Sequence, residues 1–241
     1  MPMTNTPSSN PPTSNSPENE ARRIGPFDAI IFDMDGTLLD TEGLYFKHWR
    51  DAAAHQNADL TESVWLQLLG MPTAECLTIL SHTFGPNFCL DRFNADWRPS
   101  LEAECENGVP LMPGALTVLE HLAAQKVPLA LATSSTRKTA LKHLTTTGLI
   151  SRFKAIVTRC DVEQGKPHPE PYNQAAALLG VSPARCVAVE DTEVGARAAI
   201  AAGTQTVMIP SMRAPTAHTQ KSLHHLLDHM DELTHLLKQD T

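Results

Sequence analysis

The sequence lacks the features that mark several broad classes of protein. Its formal net charge is -8, so it has no excess of Lys and Arg with which to bind nucleic acid or an anionic membrane surface. No apolar run approaches the roughly 18 residues of a membrane-spanning helix, and none resembles the core of a secretory signal peptide. We therefore expect a cytoplasmic protein with no nucleic-acid or membrane partner, and we expect it to be a monomer.

Motifs for zinc, disulfides and nucleotides are missing as well. The five cysteines are scattered without a C-x-x-C pair, which argues against a zinc site or a disulfide framework. No G-x-G-x-x-G dinucleotide fingerprint occurs. The pair Gly165 and Lys166 is not part of a P-loop, because Cys160 stands where the first glycine is required. A phosphate-binding site would therefore be local, built from a few cations, backbone N–H groups and a metal ion.

The first residues differ in composition from the rest of the chain. Residues 1–20 consist almost entirely of Pro, Ser, Thr and Asn, which offer little apolar surface to bury. We interpret residues 1–25 as a disordered leader. The whole chain of 241 residues is 41% hydrophobic, which is enough for one large domain or for a domain with a smaller insertion.

The stretch FDAIIFDMDGTLLDTE at residues 27–42 holds the most informative pattern. The apolar run at residues 29–32 predicts a strand that is buried on both faces. It leads into Asp33 and Asp35, whose spacing places both carboxylates on one side of an extended chain, and Gly36 then allows a sharp turn. A plain polar Asp-Gly turn is the alternative interpretation. Ligands of open parallel sheets bind beyond the carboxyl ends of the strands, so these acids mark a candidate site.

Residues 43–109 have helical periodicity and no strand-like run. This block also contains all three tryptophans, which are Trp49, Trp65 and Trp97. It is divided into several short helices by glycines and prolines, namely Gly70, Pro72, Gly85, Pro86 and Pro99. We interpret residues 43–109 as a helical cap domain, inserted into a core domain made of residues 26–42 and 110–241. A helical layer of a single domain is the alternative.

Apolar strands alternate with amphipathic helices from residue 115 onward. The pattern predicts strands at residues 127–132, 155–158, 186–189 and 206–209, and helices at residues 115–126, 136–147, 170–179 and 193–202. It predicts a last helix at residues 222–238, on which His225 and His229 are two solvated side chains rather than a metal pair. Five strands separated by helices predict an α/β fold, a doubly wound parallel sheet with an inserted helical cap.

Polar clusters occur at or after the ends of four of these strands. They are Asp33 with Asp35, Thr133 with Ser134 and Ser135, Gly165 with Lys166, and Glu190 with Asp191. Each cluster alone has a structural explanation, such as a helix cap, a solvated loop lysine or a charge that favours a helix dipole. Because the carboxyl ends of parallel strands meet at one edge, we expect the clusters to converge in one cleft. Acids without a His or Cys partner suit a hard cation such as Mg²⁺, and a lysine with hydroxyls suits phosphoryl oxygens.

In order and spacing the four motifs resemble those of the haloacid dehalogenase superfamily of phosphotransferases. They are DMDGTLLD from Asp33, LATSS ending at Ser135, GKPHPEPY with Lys166, and VEDTEVGARAAIAAG with Glu190 and Asp191. The resemblance covers residues 27 to about 210. The helical insertion resembles the cap of the subfamily that contains phosphoglycolate phosphatase and beta-phosphoglucomutase. The segments LMPGA, LALATSS and TVMIP resemble pseudouridine-5'-phosphatase and related sugar-phosphate phosphatases.

The resemblance implies a phosphatase that hydrolyses a small phosphorylated metabolite through an aspartyl-phosphate. Asp33 would be the nucleophile, and Asp35 would be the general acid for the leaving oxygen and then the base for water. Mg²⁺ would be held by Asp33, by the backbone carbonyl of Asp35, and by Glu190 with Asp191.

The resemblance also implies which residues bind the phosphate. Thr133 and backbone N–H groups near Ser134 would bind phosphate oxygens, and Lys166 would bridge the nucleophile and the phosphoryl group. In addition, it implies a short strand at residues 226–228 in place of part of the predicted last helix.

Two alternatives differ in function. Beta-phosphoglucomutases resemble this chain in the core but carry a histidine ten positions after the second aspartate of the first motif, where Tyr45 stands here. They also carry a cap arginine shortly after a glycine, and residues 70–73 offer none, which favours a phosphatase. A non-catalytic binding module on this fold would be expected to have lost an acid or Lys166, and none is missing. A protein that binds a partner through the leader is a further alternative, which removal of residues 1–24 would test.

Overall fold

The computed structural model of the chain describes residues 24–68 and 73–237. Six strands form one sheet within these residues. They are β1 (Ala29–Phe32), β2 (Leu129–Ala132), β3 (Ala155–Val157), β4 (Cys186–Glu190), β5 (Gln205–Met208) and β6 (His225–Leu226). Neighbouring strands pair in parallel, in the order β3-β2-β1-β4-β5-β6. The predicted doubly wound parallel sheet is confirmed, and its strand order changes direction between β1 and β4.

Helices cover both faces of the sheet and fill the segment after β1. They are α1 (Thr41–Ala54), α2 (Glu62–Leu68), α3 (Thr73–Phe84), α4 (Leu90–Glu106), α5 (Ala115–Ala124), α6 (Arg137–Thr146), α7 (Glu170–Leu179), α8 (Glu193–Ala201), α9 (Ala217–Gln220) and α10 (Met230–Leu236). Short 3-10 turns lie at Ile150–Arg152, Arg159–Asp161 and Pro183–Arg185. No helix within the described ranges has the length and hydropathy needed to span a bilayer.

The regular elements between β1 and α5 are the helices α1 to α4, as predicted, and no strand lies between them in the residues that the structure describes. Most of the predicted leader, and residues 70–72 of the stretch compared with the mutases, lie outside the described residues. The prediction that Pro99 ends a helix is wrong, because Pro99 lies inside α4. A proline removes one backbone donor, but α4 continues through it because Trp97 and Leu101 on either side belong to its buried face.

Polar side chains cap the N-termini of three helices, α1, α6 and α8. Asp40, Thr136 and Thr192 each precede a helix, and each side chain accepts a hydrogen bond from the backbone N–H three residues later. Such caps typically contribute about 1 kcal/mol. The helices α6 and α8 therefore start shortly after β2 and β4, whereas a turn at residues 33–40 separates β1 from α1.

The sheet is buried on both faces, with residues of different size on each. Ile30 and Phe32 face the side that packs against α5, α10 and the inserted helices. Ala29 and Ile31 face the other side, where mostly alanine and valine side chains allow α7 and α8 to pack closely. Burying a side chain such as Ile30 contributes roughly 1.5–3 kcal/mol, so this alternation holds β1 firmly in the centre of the sheet.

The tail differs from the helix predicted at residues 222–238. His225 and Leu226 form β6, which pairs with Val207 and Met208, and α10 begins only at Met230. The backbone groups at the open edge of β5 need partners, and this pairing outweighs the helical periodicity of the leucines. The strand implied at residues 226–228 overlaps β6 at one residue. His225 thus lies on a strand rather than on one helix with His229.

Candidate active site

The carboxyl ends of the central strands bring the predicted clusters together. Phe32, the last residue of β1, lies opposite Leu131 on β2 and Val189 on β4. The residues that follow, Asp33 after β1 and Thr133 after β2, therefore lie at the same edge of the sheet as Glu190 at the end of β4. This edge lies where the strand order changes direction, which is the usual ligand position in an open α/β sheet.

Lys166 reaches this edge from the loop between β3 and α7. Its ammonium donates to Asp33 Oδ1 and to Glu190 Oε1, both at 2.5 Å, and its side chain is 4% exposed. Burial alone would lower the pKa of Lys166, but the negative charges of Asp33 and Glu190 raise it above its usual value. Lys166 therefore remains a buried cation at neutral pH.

Three carboxylates surround this cation. One oxygen atom from each of Asp33, Glu190 and Asp191 lies within 4.8 Å of the others, and all three residues are buried. Burial raises the pKa of Asp33 well above its usual value, against the opposing effect of Lys166. Burial and then the charge of Glu190 raise the pKa of Asp191 to about 8. One ammonium group does not balance three carboxylates, so the cluster favours a further cation.

The donor set fits a divalent metal ion. The ligand atoms that Asp33, Glu190 and Asp191 offer are all carboxylate oxygens, and the cluster contains no His or Cys. Hard divalent cations such as Mg²⁺ and Ca²⁺ prefer such ligands. A bound cation would also offset the repulsion that raises the pKa of Asp191.

Hydroxyl groups hold the carboxylates in place. Tyr172 is fully buried on α7 and donates to Glu190 Oε1 at 2.6 Å. Ser211 donates to Asp191 Oδ2 at 2.7 Å, and Thr37 donates to Asp191 Oδ1 at 3.3 Å. These bonds restrict the orientations of the acids, as second-shell partners do in metal sites.

Asp35 points toward a different set of partners. Its Oδ2 accepts from Ser135 Oγ at 2.8 Å and from Thr133 Oγ1 at 3.2 Å. Asp35 is only half-buried. Of the predicted phosphate-binding residues, Thr133 and Lys166 lie at the site, while the side chain of Ser134 is exposed and has no hydrogen bond among the described residues. Its place in the binding set would thus depend on backbone N–H groups.

Two glycines allow the acids to sit this close to the backbone. Gly36 has a φ of 80°, and a Cβ atom there would overlap the Asp191 carboxylate. A Cβ atom at Gly195 on α8 would overlap the Glu190 carboxylate. Any larger residue at either position would displace a carboxylate of the cluster.

Sequence reasoning placed Ser135 in one of the polar clusters but gave it no role, and it did not assign Tyr172 or Ser211 to the site. Ser135 and Ser211 carried a usable signal, because each is a hydroxyl shortly after a strand, as Thr133 is. Tyr172 gave no such signal, since its contact with Glu190 depends on how α7 packs against the sheet.

A cavity of about 280 Å³ opens beside Asp35, between the strand ends and the inserted helices. Its walls include Trp49 and Trp65 from the inserted segment, and Glu42, Ser135 and His143 from the core side. A molecule in this cavity would lie against Asp35, whereas Asp33 belongs to the buried cluster and does not line the cavity.

Comparison with known proteins identifies the family. The sequence profile described as haloacid dehalogenase-like hydrolase matches residues 30–209, which include all four motifs. The chain belongs to this family. The match extends from β1 through the inserted helices to the residue after β5, so it spans both the sheet and the helical segment.

Relatives of this haloacid dehalogenase-like hydrolase have names that specify phosphatases. A phosphorylated carbohydrates phosphatase of Thermotoga maritima is 33% identical over 180 residues, which is 75% of this chain and 83% of the relative. A protein of Drosophila melanogaster named "Probable pseudouridine-5'-phosphatase" is 33% identical over 211 residues, 84% of this chain and 91% of the relative. The predictions of this family and of a phosphoric monoester hydrolase are confirmed.

Solved structures of the family share the fold. One from Thermotoga maritima, described as a "putative beta-phosphoglucomutase", has a TM-score of 0.74 and 30% identity and covers 88% of this chain and 98% of its own. A hydrolase of the family from Deinococcus radiodurans R1, with bound phosphate and sodium, has a TM-score of 0.74 and 29% identity. It covers 89% of this chain and 99% of its own.

Proposed function

We propose that this hydrolase is a Mg²⁺-dependent phosphatase that cleaves a small phosphomonoester, a sugar phosphate or a nucleotide-like compound, through an aspartyl-phosphate on Asp33. The observation that carries the proposal is the pairing of Asp33 with the buried cation Lys166, beside a second carboxylate, Asp35, on the wall of a cavity. One acid is thus held for attack and the other is open to the substrate.

In the first step a carboxylate oxygen of Asp33 attacks phosphorus, and the bond between phosphorus and the leaving oxygen breaks. The leaving oxygen takes a proton from Asp35, whose carboxyl group lies on the cavity wall. Lys166 and Thr133 bind the phosphoryl oxygens during the transfer. The products of this step are an alcohol and a phosphate ester of Asp33.

In the second step the phosphate leaves Asp33. Asp35 is now a carboxylate and takes a proton from a water molecule, which attacks phosphorus. The bond between phosphorus and the Asp33 oxygen breaks, so inorganic phosphate and free Asp33 are released and Asp35 regains its proton. Ser135 fixes the Asp35 carboxyl group for both proton transfers by donating a hydrogen bond to it. The single O–H of Thr133 donates to Asp35 in this structure and would turn to a phosphoryl oxygen during the transfer.

Asp33, Glu190 and Asp191, with the backbone carbonyl of Asp35, would hold the metal ion. When bound, Mg²⁺ would offset the charge of the carboxylates and of the phosphate, which otherwise repel each other. The chemistry of the donor set supports this assignment, since it consists of oxygen atoms alone.

The names of the relatives support phosphorylated carbohydrates and pseudouridine 5'-phosphate as candidate substrates. We include in the proposal that residues 43–109 act as a cap domain over the core at residues 26–42 and 110–241. The cavity between the two parts supports this division, because a substrate there would contact both.

Phosphate release from a panel of phosphomonoesters tests the proposal. The panel contains sugar phosphates, phosphoglycolate, nucleotides and pseudouridine 5'-phosphate, each with Mg²⁺ or with EDTA. We expect release that depends on Mg²⁺, and none above background from the Asp33→Asn variant. Absence of release, together with isomerisation of glucose 1-phosphate in the presence of a bisphosphate primer, would instead indicate a mutase.

A further inference from the structure

The cavity beside Asp35 has walls from two parts of the chain. Asp35 and Ser135 lie on the core side, whereas Trp65 and Leu68 belong to α2 of the inserted segment. The ion pairs of the described residues lie either within the inserted helices or within the core, and none joins the two parts. The shape of the cavity therefore depends on the other contacts that hold α2 against the core.

The loop that follows β5, residues 209–216 (the β5 loop), makes such a contact. Arg213 in this loop donates a hydrogen bond from Nη2 to the backbone carbonyl of Leu66 on α2. Leu66 lies in the last turn of α2, where carbonyl groups have no partner within the helix and a nearby arginine is favourable. This turn contains no basic residue of its own. Arg213 thus supplies, from the core, both a donor and a positive charge to the end of α2.

The β5 loop is fixed at both ends. At its start, the backbone N–H of Ile209 donates to the carbonyl of Glu190 at 2.8 Å. At its end, the backbone N–H and the hydroxyl of Thr216 donate to the two oxygens of the Glu193 carboxylate, at 3.0 and 2.8 Å. Glu190 ends β4 and Glu193 begins α8. The loop is therefore anchored on the segment that carries part of the acid cluster.

Ser211 connects the same loop to the acid cluster and to the start of α1. Its Oγ lies 2.7 Å from Asp191 Oδ2 and 3.1 Å from Glu42 Oε2. A serine hydroxyl has one hydrogen, so it donates to only one of these carboxylates at a time. Glu42 lies in the first turn of α1 and lines the cavity. Two side chains of the β5 loop thus contact the first two helices after β1.

We propose that the β5 loop sets the position of α1 and α2 over the acid cluster, and that Arg213 and Ser211 are positioning residues for substrate binding. The effect on substrate binding rests on the proposed phosphatase function. Without the bond to Leu66, only a fraction of the molecules would present the complete cavity. The apparent affinity for substrate falls by that fraction, whereas the chemical step in the bound complex uses the same catalytic groups.

Steady-state kinetics with the ester that the wild type hydrolyses fastest test the role of Arg213. Arg213→Met should raise KM roughly two- to tenfold, the range expected for one hydrogen bond, and leave kcat nearly unchanged. Arg213→Lys keeps a positive charge and a donor, so it should retain most of the wild-type affinity. Arg92→Met is the matched control, because Arg92 Nη2 donates to the His55 carbonyl at 3.3 Å and both residues belong to the inserted segment. It should leave KM unchanged.

Ser211→Ala tests the second contact of the loop. It removes a hydrogen bond to Asp191 as well as the contact with Glu42, so it should raise both KM and the Mg²⁺ concentration needed for half-maximal activity. Arg213→Met should raise KM alone. Ser211→Thr keeps the hydroxyl and should behave more like the wild type in both respects. A Ser211→Ala enzyme with wild-type KM and wild-type Mg²⁺ dependence would overturn the role of Ser211.

Acrylamide quenching of tryptophan fluorescence tests the position of α2 without turnover. Trp49 and Trp65 are buried and line the cavity, so displacement of α2 would expose them. Arg213→Met should increase the quenching constant, and Arg92→Met should not.

The outcomes separate this inference from the proposed function. Wild-type quenching or a wild-type KM in Arg213→Met would overturn the inference and leave the phosphatase intact, and so would an equal rise of KM in Arg92→Met. A wild type that hydrolyses no ester of the panel would overturn the proposed function, whereas the quenching comparison would still support or overturn the role of Arg213.

Discussion

The ammonium nitrogen of Lys166 lies 2.5 Å from Asp33 Oδ1, although the two residues are 133 positions apart in the sequence. Both side chains are almost fully buried. Separating a buried pair is costly when one partner is removed, because the other charge remains without water or a counterion. The ammonium group of Lys166 therefore both stabilises this edge of the sheet and supplies the positive charge that a phosphoryl group would contact there.

Replacing Lys166 should damage both stability and activity. Lys166→Met keeps a side chain of similar length but removes its positive charge. Asp33 and Glu190 then lose the ammonium group that lies between their carboxylates. We expect a loss of about 3–5 kcal/mol in the free energy of unfolding, and a fall in kcat of about 10²- to 10³-fold. Urea unfolding and phosphate-release kinetics measure these effects. The control Lys154→Met removes an exposed lysine and should change neither the free energy of unfolding nor kcat. A Lys166→Met enzyme with wild-type kcat would contradict the proposed role of Lys166.

Asp33→Asn should keep the fold and lose turnover by several orders of magnitude. Lys166 keeps Glu190 as a counterion, and removing one negative charge from a crowded acid cluster relieves repulsion, so the free energy of unfolding should fall little. A neutral amide oxygen is a poor nucleophile, so no phosphate ester forms.

Asp35→Asn is the matched variant for this test. This variant keeps the nucleophile Asp33 and lacks only the residue that transfers protons. The leaving group of p-nitrophenyl phosphate needs no proton, so the first step proceeds while hydrolysis of the phosphate ester is slow. The variant should therefore accumulate phosphate bound to the protein. Mass spectrometry after acid quenching detects that adduct. An adduct in Asp33→Asn, or turnover retained by it, would disprove covalent catalysis at Asp33.

Much of this site could be predicted because its residues directly follow apolar runs. Asp33, Thr133 and Glu190 each end or follow a buried strand, and the parallel arrangement of those strands is enough to bring them together. Tyr172 could not be predicted in this way, since its bond to Glu190 depends on the packing of α7.

The edge of the sheet was the least predictable part of the fold. Leu226 and the leucines after it have helical spacing, and only the unpaired edge of β5 makes a strand more favourable there. Nothing local in the sequence encodes that requirement. The boundaries of the cap domain, the monomeric state and the cytoplasmic location stay predictions.

Asp191→Asn should abolish stabilisation by metal. A cation that binds only the folded chain raises its stability by about 2.7 kcal/mol at 100 times Kd, which corresponds to a rise in Tm of about 5–10 °C for a chain of this size. Differential scanning fluorimetry with and without MgCl₂ measures this shift in the wild type. Asp228→Asn removes an exposed acid outside the cluster and should keep the shift. The same shift in Asp191→Asn would place the cation elsewhere.

The free energy of unfolding should depend on pH through Glu170, because its carboxylate holds the loop that carries Lys166. Its carboxylate accepts from the backbone N–H groups of Glu163 and Gln164, both at 2.8 Å. The bond from Gln164 and then the bond from Glu163 lower the pKa of Glu170 below its usual value of 4.5. A lowered pKa in the folded state stabilises the protein above pH 4.5, and this contribution is lost as the pH falls through the folded pKa.

Glu170→Gln should therefore lower the urea midpoint at pH 7, and the difference from the wild type should shrink at about pH 3.5. Because the loop positions Lys166, kcat at pH 7 should also fall, by roughly two- to tenfold. Glu163→Gln is the control, since the Glu163 carboxylate is exposed and has no hydrogen bond among the described residues. It should leave kcat unchanged. A Glu170→Gln difference of equal size at both pH values would show that the carboxylate charge does not hold the loop.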